Sequence, residues 1–255
     1  INKDLVTKKV GEEDVEAVSA FMRGGLRGDP VGEFSQAFAQ ACGVSHGVGL
    51  CSGTAAVHAG TFAAGVEPGD EGILPAISDV GSVKGILAQN AIPIFADVDL
   101  RTSNIDPADA EAKITERTKA ILAVHLYGQP ADMDALMEIG KRHGLPIIED
   151  GSQAHFAEYK GRKVGSIGEI GVFSLIAGKH LHTVAGGVVI TNDEAYAEKA
   201  KMFGVDRGER DGTRDGLSHR GHFGLGLNYK MNPLGGVVGL VQLRKLDDNV
   251  ARRRQ

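Results

Sequence analysis

The 255-residue chain predicts an α/β fold of three layers, a mostly parallel sheet flanked by helices. Three observations predict it. Between residues 46 and 150, short apolar runs alternate with amphipathic stretches at βαβ spacing. The run at Ile147 and Ile148 ends abruptly at two acids, Glu149 and Asp150, as a buried parallel strand does at its functional end. The 36 glycines suit the tight strand-to-helix turns of such a sheet. Right-handed crossovers are expected between the strands.

The elements follow in order. Residues 11–21 have helical spacing, with Glu12, Glu13 and Asp14 in a first turn that the helix dipole favours. Residues 33–41 form a second helix, ended by Gly43. A strand at 46–52 leads through Ser52-Gly53-Thr54 into a helix at 55–64. A strand at 72–75 and a helix at 83–89 come next, then a buried strand at 92–97. Pro107 stands near the start of a helix at 108–114. A strand at 119–124 runs into His125, and the helix at 131–143 turns Met133, Leu136, Met137 and Ile139 inward. Strands at 168–175 and 186–191 and a helix at 193–203 follow the one at Ile147. The charged, Gly-rich stretch 208–222 reads as a mobile loop, and 234–246 as an apolar helix.

Composition removes several classes of function. Net charge −5 with 24% charged residues gives no reason to expect nucleic acid or a membrane surface as partner. No run of about 18 apolar residues is present, and the opening residues lack a signal-peptide core. Cys42 and Cys51 form no CxxC or Cys/His spacing, so no metal site is expected, and a reduced, cytoplasmic setting is. No GxGxxG follows a strand, so a dinucleotide site is not supported.

Two residues together fit the chemistry of one cofactor, although their spacing alone does not establish it, since Lys and Asp are common. Asp150 stands where an open α/β sheet presents ligand-facing groups, although helix caps or loop charges are the plainer reading of Glu149 and Asp150. Lys179 ends a second apolar strand, in Phe173-Ser-Leu-Ile-Ala-Gly-Lys-His180. A lysine that forms a Schiff base and a carboxylate that keeps a pyridine nitrogen protonated are the two groups pyridoxal phosphate needs. Ser52-Gly53-Thr54 at a helix start is an anion site by its amides, its dipole and its hydroxyls, or else an ordinary N-cap. His58 reads as packed or at the surface, and Asp97 and Asp99 as solvated loop acids.

Ile148-Glu-Asp-Gly-Ser-Gln-Ala-His155, Tyr159-Lys-Gly161, Gly165-Ser166, Phe173-Ser174, Gly178-Lys179 and Gly186-Gly-Val-Val-Ile-Thr-Asn-Asp193 follow one another along the chain. This order of blocks resembles the DegT/StrS family of sugar aminotransferases, and the resemblance covers nearly the whole chain. It implies the large domain of a type I pyridoxal-phosphate-dependent transferase. It assigns Lys179 and Asp150 to catalysis, and Gly53, Thr54 and Ser174 to the cofactor's phosphate. Gln153 would meet the ring's phenolic oxygen. His125-Leu-Tyr-Gly128 matches a block beside the cofactor, with a satisfied core histidine the other reading of His125. Asn228, in Gly226-Leu-Asn-Tyr-Lys-Met231, would reach across a homodimer interface to the partner's cofactor, and the helix with Gln242 would pack near that seam.

The same resemblance implies a homodimer with shared active sites. In two half-reactions, glutamate or glutamine would give an amino group to a keto sugar, probably nucleotide-linked, or to a keto cyclitol. Relatives are longer, so residues 1–245 are expected to form the large domain and 246–255 to begin a small domain that is mostly absent. Three departures stand out. Asp79 occupies the place of a ring-stacking aromatic, with a cap of the following helix as its other reading; Lys230 replaces an arginine, and Thr183-Val-Ala-Gly186 is less acidic than usual. A sugar dehydratase of the same family, a non-catalytic binding or regulatory protein, and a lyase acting on amino acids stay open as alternatives. The dehydratase branch uses histidine in place of the lysine, and Lys179 argues against it.

Overall fold

The computed structural model of the chain describes residues 10–206, 209–214, 217–222, 224 and 226–254. In chain order the elements are α1 Glu12–Arg23, α2 Pro30–Cys42, β1 His46–Leu50, α3 Gly53–Ala63, β2 Glu71–Pro75, α4 Val80–Ala88 and β3 Ile92–Ala96. Then come α5 Pro107–Ala112, β4 Thr118–Val124, α6 Met133–His143, β5 Ile147–Asp150, β6 Glu158–Tyr159, β7 Arg162–Lys163, β8 Ile170–Ser174 and β9 Gly187–Thr191. The chain continues with α7 Glu194–Gly204, β10 Glu209–Arg214, β11 Leu217–His222, α8 Pro233–Arg244 and α9 Leu246–Arg253.

Helix starts are written locally. Asp29, Ser52, Asp79, Asp106, Asp132, Asp193 and Asn232 each cap a helix by accepting an amide of its first turn. Pro30, Pro107 and Pro233 occupy first helical positions, where the missing N–H costs nothing. Gly43 and Gly144 end α2 and α6 in the left-handed conformation, at φ 88° and 65°.

The main sheet runs β1-β9-β8-β5-β4-β2-β3. Pairs from β3 to β8 are parallel; β9 is antiparallel to both β8 and β1. Successive residues on a strand face opposite sides, so a strand covered on both faces must be apolar at every position. Ile148 enters one core with Leu74, Leu122, Val57 and Phe203. Its neighbour Ile147 enters the opposite core with Ile73, Ile121, Met133 and Leu136. A third cluster, around Phe34, Phe38 and Phe173, closes the β8–β9 end and takes in Leu246 of α9.

Two expectations are corrected. β3 is not a buried strand but the sheet edge, with Ile92 41% and Phe95 45% exposed. Pro93 cannot donate to a second ladder, which fits an edge position. Within the stretch read as a mobile loop, β10 and β11 pair antiparallel, Glu209 opposite His222 through Arg214 opposite Leu217.

Glu149 is fully buried, and its carboxylate accepts the amides of Gly165, Ile167 and Gly168 at 2.6–2.9 Å. It also meets His125 Nε2 at 3.0 Å. His125 Nδ1 accepts the Ala131 N–H, which fixes the ring's proton on Nε2. Burial raises the Glu149 pKa, but the His125 contact and the Gly165 and Gly168 amides outweigh it and hold the carboxyl below its ordinary value. The residue thus pins the turn before β8 to β5. Glu149→Ala should destabilise the fold by about 3–5 kcal/mol, because His125 and three amides lose their partner. Urea unfolding measures it; a loss below about 1 kcal/mol would contradict this anchoring role.

Candidate active site

A cavity of about 250 Å³ opens at the carboxyl ends of β4, β5 and β8, where the helix starts of α3 and α4 converge. Asp150 forms part of its floor and is 4% exposed. Its Oδ1 accepts the Ser152 N–H at 3.0 Å, and its Oδ2 accepts the Ser82 hydroxyl at 2.7 Å. Ser152 Oγ in turn accepts the Ser174 N–H at 2.8 Å, tying the ends of β5 and β8 together. Lys179, half-buried, lines the same cavity from the loop after β8. Among the described residues neither Lys179 nor Asp150 has an ion-pair partner. The plainer reading of Glu149 and Asp150, as caps or loop charges, is therefore set aside: one is a core anchor and the other faces a cavity.

Ser52, Gly53, Thr54 and Ser174 line one end. Ser52 is the cap of α3 and accepts the Ala55 N–H at 3.1 Å, so the ordinary N-cap reading holds and the same turn lines the cavity. A Cβ at Gly53 would lie 2.5 Å from Ser174 Cβ, and one at Gly187 would lie 2.2 Å from Ser52 O. Only glycine at both places lets this turn sit so close to β8 and β9. Gln153 also lines the cavity, and its Oε1 accepts the Tyr127 N–H at 3.0 Å. Its NH2 group remains as the donor. Tyr127 and Gly128 both adopt positive φ, 53° and 89°, which turns the chain toward Gln153.

Asp79 caps α4 through the Gly81 N–H at 2.7 Å and stands on the cavity wall. Among the described residues no aromatic side chain lines the cavity; Val57, Val124 and Ile176 provide its apolar surface. His125 is the core histidine described above rather than a cavity residue. His58 is also packed: Gln89 gives its NH2 to Val66 O, so its Oε1 accepts from His58 Nε2, and Nδ1 meets the Tyr229 hydroxyl at 3.0 Å. Asp99 spends its carboxylate on the turn amides of Arg101 and Thr102. Asn228 is exposed and does not line this cavity. Gln242 is inside the chain's own fold, donating to Asp14 of α1 at 2.8 Å.

Sequence reasoning missed Ser82 and Ser152. Asp-Gly-Ser after a strand is a turn signal that could have drawn attention to Ser152. For Ser82, 68 residues from Asp150, no local signal exists. Among the described residues no group of three or more His, Cys, Asp or Glu side chains is placed to hold a metal ion. Among the same residues no helix is long and apolar enough to cross a membrane.

Behind Lys179, the rings of His155 and His180 lie 5.4 Å apart. Burial, then the charges of His180 and Lys179, push His155 well below the usual imidazole range. Burial, with Arg253 and Lys179, brings His180 to about 4. Burial lowers His58 as well. All three are more basic unfolded than folded. The stability they contribute is complete above the unfolded value of about 6.5 and is lost as pH falls from there toward the folded values. The Tm of cofactor-free protein should therefore begin to fall below about pH 6.5, before the carboxylates titrate, and His155→Gln should flatten that decline. A flat Tm down to about pH 4.5 would contradict it.

The fold and site define a class: an α/β protein presenting a lysine and a buried carboxylate at the sheet's carboxyl edge, beside the start of a helix. A family model for the DegT/DnrJ/EryC1/StrS aminotransferase family matches residues 8–255, and the chain belongs to that family. It is 40% identical over 224 residues to GDP-perosamine synthase of Caulobacter vibrioides, covering 87% of this chain and 58% of that protein. It is 43% identical over 227 residues to L-glutamine:2-deoxy-scyllo-inosose aminotransferase of Streptomyces lividus, covering 87% and 53%. An aminotransferase structure from Psychrobacter cryohalolentis superposes with a TM-score of 0.88 at 33% identity, over 94% of this chain and 63% of that one. The chain thus spans a little over half the length of the curated relatives described.

Proposed function

We propose that this chain carries the pyridoxal-phosphate-binding part of an aminotransferase that moves an amino group from glutamate or glutamine to a keto sugar or keto cyclitol. One observation carries the reading. A buried carboxylate without a cation faces the same cavity as a lysine amine. A buried anion is costly unless something cationic or strongly donating completes it. A protonated pyridine nitrogen is such a group. The residues fit it: the Gly53–Ser174 approach leaves a cradle that a Cβ would fill, and the Gln153 NH2 is free to donate.

Bound pyridoxal phosphate supplies an electron sink for the carbon next to the transferred amine. Asp150 holds the proton on the ring nitrogen. Lys179 Nζ would hold the cofactor covalently, and its amine would be the group placed to take up and return a proton beside it. Gly53, Thr54 and Ser174 bind the phosphate, with the dipole of α3 behind them. Gln153 would donate to the phenolic oxygen, and Val124 and Ile176 would supply apolar wall beside the ring. Asn228, turned away from its own cavity, would complete the phosphate site of a second copy in a homodimer. A large domain of residues 1–245, a small domain beginning at 246 and a cytoplasmic setting belong to the same proposal. The relatives named above, a GDP-perosamine synthase and an L-glutamine:2-deoxy-scyllo-inosose aminotransferase, support this substrate range.

Purified protein should carry a visible absorbance band from lysine-bound cofactor, and Lys179→Ala should lose it. Glutamate or glutamine should bleach the band as the amine form accumulates. Asp150→Asn should still bind cofactor but turn over about a hundredfold more slowly or worse. A band that neither donor bleaches would remove the transaminase reading, and wild-type turnover in Asp150→Asn would remove Asp150 from its role.

A further inference from the structure

We propose that Ser82 is a positioning residue. Its hydroxyl holds Asp150 as an ionised carboxylate and so keeps the proton of a bound ring on the ring nitrogen rather than on Asp150. The inference rests on the reading of Asp150 given under the proposed function.

Ser82 is 2% exposed, and its Oγ lies 2.7 Å from Asp150 Oδ2. The contact is held from behind. Ser82 is the third residue of α4, its N–H donates to Asp79 O at 3.1 Å, and the Asp79 side chain caps the helix. α4 is pressed onto α3 at two glycines. A Cβ at Gly85 would lie 2.3 Å from Val57 Cγ1, and one at Gly81 would lie 3.1 Å from Thr54 Oγ1. The helix start therefore has little freedom to carry Ser82 away from Asp150.

The direction of the hydrogen bond follows from the inventory of donors. Ser152 gives Oδ1 a backbone N–H, which can only donate. Ser82 Oγ has no other acceptor for its proton among the described residues. If Asp150 carried a proton on Oδ2, that oxygen would be a much poorer acceptor, and the buried Ser82 hydroxyl would lose most of its hydrogen bond. That arrangement is disfavoured. The positive end of α4 acts in the same direction. The two donors, one from β5's own turn and one from a helix across the cavity, also fix the plane of the carboxylate.

The test uses the protein loaded with pyridoxal phosphate labelled with ¹⁵N in the ring. In the wild type the ring-nitrogen resonance should lie at the protonated position near neutral pH. In Ser82→Ala it should move toward the unprotonated position, and Ser82→Thr, which keeps the hydroxyl, should restore it. In parallel, the acid limb of cofactor binding should move to higher pH in Ser82→Ala by about one to two pH units, the worth of one hydrogen bond to a charged group. Should Ser82→Ala fail to fold, Ser82→Cys has nearly the same volume with a weaker donor, and the same displacement in smaller amount is expected. A purely structural Ser82 would change Tm without moving the nitrogen resonance. If the wild type binds no cofactor at Lys179, the functional reading itself falls. If it does bind, and the Ala or Cys variant shows a wild-type nitrogen resonance, only the role of Ser82 is overturned.

Discussion

The carboxylate of Asp150 lies almost out of contact with solvent, held by a serine hydroxyl and a backbone amide and facing a cavity rather than a cation. Much of the surrounding structure exists to make that placement possible. β5 delivers the residue to the sheet's carboxyl edge, and α4 brings Ser82 across to meet it. Ser152 links the same turn to β8, whose continuation carries Lys179. Removing an acid from water costs more than two neutral hydrogen bonds return. The site is therefore built for a group that completes it.

The pleat of β5 divides two adjacent acids between two tasks. Successive side chains on a strand point to opposite faces. Glu149 turns to the face where His125 and the 165–168 turn saturate it, and there it stabilises the fold. Asp150 turns to the cavity, where it is left incomplete. The same residue chemistry yields a structural anchor and a cavity-facing carboxylate one position apart. A shift of one residue in strand register would exchange them.

The sequence made the architecture legible because βαβ alternation and capping residues are local signals. Ser52, Asp79, Asp106 and Asp193 mark helix starts within a residue or two of where the helices begin. What escaped was set by tertiary position. The apolar run of β3 looks like any buried strand, and only Pro93 hinted that it lies at an edge. The β10–β11 pair was hidden by charge and glycine content. Asp79 was legible as a departure and as a helix cap, but not as part of the cavity wall. Ser82 was invisible because its partner is remote in the chain.

Asp79 and the aliphatic lining together give the cavity a different character from one built around an aromatic face. Val57, Val124 and Ile176 would offer a bound ring dispersion contacts in place of stacking, so its orientation would fall more heavily on the polar groups at the two ends. The central claim is that one ring is gripped between position 179 and position 150. Borohydride reduction of the purified protein followed by peptide mass spectrometry tests it most directly. The account predicts a pyridoxyl-phosphate adduct on Lys179 alone, lost in Lys179→Ala; no adduct, or an adduct on another lysine, would contradict it.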